Sequence, residues 1–161
     1  MSNPGLYETY ALQTRRLHPD CWAHLAPFFA VSPYTMDNDD VWVLVQSGLA
    51  GQLGLRNGAM VVGNTIRVRP GLLDARPRQF LYGSIWAWSE PQGVANWAHE
   101  VFHIHQWRRD RWAYYGGIFS GMINSWLHGS AYDHQRVVPE REAILFERYV
   151  KSVLDAQRKT A

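Results

Sequence analysis

The run Trp97-Ala98-His99-Glu100-Val101-Phe102-His103 sets two imidazoles and a carboxylate within about one helical turn. Residues four apart on an α-helix stack on one face, so His99 and His103 can reach a single metal ion if the segment is helical. Glu100, beside the first histidine, leans toward the same ion and can take the proton of a water that the metal activates. The chemistry that this H-E-x-x-H spacing suits is hydrolysis of an amide or a similar bond.

A hydrolytic zinc site needs three protein ligands and an open fourth position. The stretch from Val138 to Val150 can supply the third. Pro139 suits the first turn of a helix, which places Glu140 in the opening turn. Ala143, Leu145, Phe146 and Val150 then give that helix an apolar face. Glu140 and Glu142 are both candidates, and at about 200° apart around a helix only one can face the metal. Glu140 stands three residues before Ala143, a small residue that lets two helices approach, and this favours Glu140.

These groups need elements to hold them. Val94 to about Trp112 contains no Pro or Gly, and Trp97, Val101 and Ile104 recur at i, i+4 and i+7, an amphipathic helical pattern. The breakers in Ser89-Glu90-Pro91-Gln92-Gly93 predict a start near Gly93. Arg108, Arg109 and Arg111 suit the negative end of that helix, and Gly116-Gly117 is expected to stop it. A further helix is expected from Ile118 to His128, ending at Gly129. Upstream, Ala59 to Arg69 reads as strand, turn, strand, with Gly63-Asn64 between β-branched runs. A strand beside the metal helix could pair with an extended substrate backbone. Phe80 to Trp88 reads as another strand or as a loop covering the site. Val41 to Leu49 is a short apolar run, either a strand or the start of a helix. Residues 1 to about 40 read as irregular, with a short helix inside Arg15 to Phe29 broken by Pro19 and Pro27. Asp37-Asn38-Asp39-Asp40 lacks the Gly and distal Glu of a calcium loop and reads as a polar turn or helix cap. Asp155 to Ala161 is polar and expected to fray.

With these pieces in this order, the chain resembles the gluzincin-type metallopeptidases. Within them it is similar to small Vgr-related proteins, akin to the peptidase-like domain of bacterial contractile injection systems. The matching pieces run from about residue 60 to 150. They are Gly63-Asn64-Thr65-Ile66, the block from Ala98 through His99-Glu100 and His103 to Gln106, Trp112-Ala113-Tyr114-Tyr115, Ala131-Tyr132-Asp133, and Glu140-Arg141-Glu142-Ala143 with Tyr149. The resemblance implies His99, His103 and Glu140 as zinc ligands and Glu100 as catalytic base. It supports Glu140 over Glu142, since the glutamate three before the alanine is the family ligand. Many relatives carry Asp directly after that alanine, where it orients a ligand histidine. Here Ile144 holds that position, and Asp133 is the candidate substitute. Stabilising the oxyanion falls to one of Tyr114, Tyr115, His128, Tyr132 or His134, with Tyr132 preferred because it lies in the family-like block.

Composition bounds the rest. With 161 residues, 47% of them hydrophobic, the chain has material for one core, and the expectation is a single α+β, zincin-like domain over residues 1–161, built from the metal helix, a second helix carrying Glu140 and a short antiparallel sheet. A net charge of +2 argues against nucleic acid as a partner. The single Cys21 excludes an intramolecular disulfide and a cysteine-based zinc site. No signal peptide is visible after Met1, and no apolar run approaches the ~18 residues that cross a membrane. The expected setting is cytoplasmic, with export by an injection machine open. The expected partners are a peptide or protein substrate and a contractile-injection assembly. A zinc-peptidase-like module that serves such an assembly without turnover is the alternative. His105 falls on another helix face than His103, Gln106 reads as a packing or ligand-orienting group, and His18 and His24 read as surface residues.

Overall fold

In the computed structural model the described residues are 14–45, 59–68, 86–129 and 137–160. They form strands β1 (Thr14–Arg16), β2 (Trp42–Val45), β3 (Ala59–Val62) and β4 (Thr65–Val68) and helices α1 (Pro19–Phe29), α2 (Pro91–Arg109), α3 (Arg111–Leu127) and α4 (Val138–Thr160), so the fold is α+β.

The hairpin forms as its sequence demands. Gly63 takes φ +65°, the left-handed conformation a tight turn needs, and Val61 pairs with Ile66 across it. The sheet is mixed, however, and not purely antiparallel. Its order is β1-β2-β4-β3, with β2 and β4 parallel and the other two pairs antiparallel. The cause is topological: β2 pairs with the second strand of the hairpin, Val43 against Ile66. The apolar run from Val41 is thus a strand over its described part.

The N-terminal region is more regular than its prolines suggested. Pro19 opens α1 at a position where its missing N–H costs nothing, and the His18 side chain accepts from the Asp20 N–H at 3.2 Å. Pro27 lies inside the helix without ending it. Asp37 caps the short 3-10 turn Asn38–Asp40 reciprocally with Asp40, which is the polar cap expected of that acidic run.

Helix α2 begins at Pro91, and Gly93 is required there. A Cβ at Gly93 would lie 1.9 Å from the Ala87 carbonyl oxygen. This close approach lets the buried Trp88 stack on Trp97 with centroids 5.0 Å apart, while the Trp97 indole N–H donates to the Trp86 carbonyl at 3.1 Å. The described end of the Phe80–Trp88 run is therefore core packing and not a strand, and residues 80–85 lie outside the described part. Helix α2 stops at Asp110, not at Gly116-Gly117. Asp110 is extended at φ −157°, and its carboxylate accepts from the N–H groups of Trp112 and Ala113. An Asp cap outcompetes continuation here, so Arg111 starts a new helix, and both glycines fall inside α3. Gly129 follows α3 at φ +60°.

Helices α2 and α4 form the central pair. Ala143 is fully buried, and Phe146 stacks on Phe102 at 4.6 Å. Leu145, expected on the apolar face, points outward. Helix α4 runs to Thr160, so the polar tail stays helical, helped by Arg158 pairing with Glu90 at 2.7 Å.

Candidate metal centre

The α2–α4 contact brings His99, His103 and Glu140 together. One ligand atom from each lies within 4.8 Å of the others. The two Nε2 atoms are 3.1 Å apart, and the Glu140 carboxylate oxygens stand 3.5 Å from His99 Nε2 and 3.6 Å from His103 Nε2. His103 is 4% exposed, while His99 and Glu140 are partly buried.

Each imidazole is held from its outer nitrogen. Gln106 Nε2 donates to the Pro139 carbonyl and to Glu142, both at 2.9 Å. Its Oε1 must then accept, so His103 Nδ1–H donates to it at 2.8 Å, and the lone pair is left on Nε2. His99 Nδ1–H donates to Glu147 at 3.1 Å, and Glu147 is in turn held by the Gln92 amide at 3.0 Å. Both Nε2 atoms thus face Glu140. Two imidazoles, each oriented by an outer partner, and one carboxylate form a donor set that fits zinc.

The charges are tightly linked. Burial lowers the His99 pKa, but hydrogen bonds with Glu140 and Glu147 outweigh it and lift the value to about 10. Burial works against the Glu140 carboxylate, yet its interactions with His103 and His99 hold it well below the usual range. A cation at this point would have to displace the proton that these carboxylates keep on His99. Burial pushes the Glu100 carboxyl up, against the pull of His99 and His103. That direction suits a group that must take up a proton.

The structure separates the two glutamate candidates. Glu140 faces the histidines, whereas Glu142 binds Gln106 and pairs with Arg109 at 3.3 Å. Gln106 has the orienting part expected of it. His105 turns away toward Tyr34 and Phe102. Of the five oxyanion candidates, Tyr132 and His134 lie outside the described residues, as does Asp133. Tyr114 is buried with its ring 5.8 Å from that of His103, Tyr115 is partly exposed, and His128 caps α3 through Asn124 at 2.8 Å. The residue that sequence reasoning missed is Glu147. It takes the orienting part expected of an Asp at position 144 or of Asp133. Its signal was present: seven residues after Glu140, two helical turns on, it shares the same face of α4.

Comparison with protein-family models, with curated proteins and with solved structures finds no match for this chain.

Proposed function

We propose that this chain is a zinc-dependent hydrolase, and specifically a metallo-endopeptidase. The observation that carries the reading is the convergence of His99 Nε2, His103 Nε2 and a Glu140 oxygen within 4.8 Å, with Glu100 on the same helix. Calcium and magnesium favour all-oxygen sites, whereas two imidazoles with one carboxylate favour zinc. Zinc, when bound, supplies Lewis acidity to a scissile carbonyl and to the attacking water. Glu100 takes the proton from that water and passes it to the leaving amine. Glu147 and Gln106 keep the two imidazole rings from rotating. Tyr132 remains the preferred oxyanion donor, and Tyr114 stands beside the ligands as the described alternative. The peptide substrate, and a place in a contractile-injection assembly, follow from the resemblance to Vgr-related metallopeptidases.

Elemental analysis of the wild-type protein and of Glu140→Ala tests the site. One zinc per chain is expected in the first and none in the second. Cleavage of a peptide library by the wild type, lost in Glu100→Gln with zinc retained, tests the activity. Full zinc with no cleavage in the wild type would replace the enzyme by a catalytically silent module. Among the described residues no helix is long and apolar enough to cross a membrane.

A further inference from the structure

Helix α3 is built inside out. Trp112, Tyr115, Phe119, Met122 and Trp126 follow one another at spacings of three and four, yet all five side chains are exposed, Trp112 at 82%, Phe119 at 64% and Trp126 at 79%. At ~100° per residue they cover a continuous arc, with Ile123 at its edge. The opposite side carries the small residues that let α3 pack on the start of α4: a Cβ at Gly117 would meet Pro139 at 2.8 Å, and one at Gly121 would meet Val137 at 2.3 Å. Only Tyr114 of this helix is buried. Such a face is larger than the scattered apolar residues that a monomer's surface tolerates.

We propose that this face is the seam of a symmetric dimer, α3 packed antiparallel against α3 of a second copy. Four features support that occupant. The 3-4-3-4 spacing is that of a helix seam that interlocks with another helix. Past Arg111 at its first residue, the positions flanking the seam, Gly116, Ile118, Ile123 and Ser125, carry no charge, so a facing copy desolvates no ion along the body of the helix. With large side chains contributing on the order of 100–200 Å² each, the exposed arc offers roughly 800 Å² per copy, which a two-fold contact doubles to the size of a stable interface. Antiparallel packing also sets Arg111 of one copy beside the negative carbonyl end of the other's α3, whereas parallel packing would bring the two Arg111 side chains together. A membrane surface fits less well. Interfacial helices carry Lys or Arg along the polar face, and α3 has neither beyond Arg111.

Sedimentation equilibrium of the full chain tests this. A dimer with a dissociation constant on the order of micromolar or tighter is expected, and Phe119→Glu should weaken it at least ~30-fold while leaving the circular dichroism spectrum unchanged. Orientation is read from thiol cross-linking, since Cys21 is buried and will not interfere. A mixture of Trp112→Cys and Trp126→Cys should form the mixed disulfide, whereas Trp112→Cys alone should not cross-link. A monomeric wild type at high protein concentration overturns the proposal, and monomers that bind anionic phosphatidylserine vesicles through Phe119 would assign the face to lipid instead. A dimer indifferent to Phe119→Glu overturns it as well, and efficient cross-linking of Trp112→Cys alone overturns the antiparallel arrangement.

Discussion

Helices α2 and α3 are joined by the single residue Asp110 and use their apolar residues in opposite ways. In α2, Trp97, Val101 and Ile104 are buried, and even the polar His103 and Gln106 are closed in. In α3 the aromatic stripe points to solvent. The difference comes from what each helix meets. Helix α2 is covered on one flank by Trp88 and on another by Phe146 of α4, whereas α3 meets Pro139 of α4 through Gly117 and His103 of α2 through the buried Tyr114. An apolar stripe reports that a helix has a partner, not that the partner belongs to the same fold.

Breaking the α2 side should have the largest effects. His103→Ala removes a proposed ligand and the donor to Gln106 Oε1, so zinc affinity should fall by at least ~1,000-fold, measured with a competing chelator dye. Phe146→Ala empties the contact with Phe102 and Phe29 and should cost about 3–5 kcal/mol in urea unfolding. A cost below about 1 kcal/mol would mean that α4 is not anchored there. Glu147→Gln keeps the shape but removes the charge behind His99, and zinc affinity should drop by about 10–100-fold with the fold intact. An unchanged affinity would reduce Glu147 to a bystander.

The pH dependence follows from His99. Its pKa is lifted to about 10, so in chelator-treated protein the paired imidazolium contributes stability fully below its ordinary value, and that contribution is lost as pH rises through about 10. Zinc competes with that proton, so its affinity should climb by up to roughly tenfold per pH unit between neutrality and mild alkali. A flat profile in a titration with a chelator dye would contradict the pairing with Glu140 and Glu147.

The α3 side should respond least within one chain. Phe119→Ser removes a side chain that the fold does not enclose, so the unfolding free energy at protein concentrations low enough to keep monomers should change by less than about 0.5 kcal/mol. A loss comparable to that of Phe146→Ala would mean that α3 packs inward and would erase the contrast between the two helices.

Local chemistry determined much on its own. H-E-x-x-H puts two imidazoles on one face wherever a helix forms, Gly63-Asn64 demands a hairpin turn, and Pro139 with Glu140 opens a helix, because each depends on backbone geometry within a few residues. Tertiary structure decided what those rules do not reach. The helix break fell at Asp110 because a carboxylate could cap two N–H groups, where a pair of glycines only permits an end. The parallel pairing of β2 with β4 joins segments far apart in the chain, and no local pattern encodes such a partner. Glu147 became the group behind His99 because α4 lies along α2 at the height where its second turn past Glu140 meets that ring. Periodicity sorts residues onto a face; only the packing of whole elements decides what that face meets.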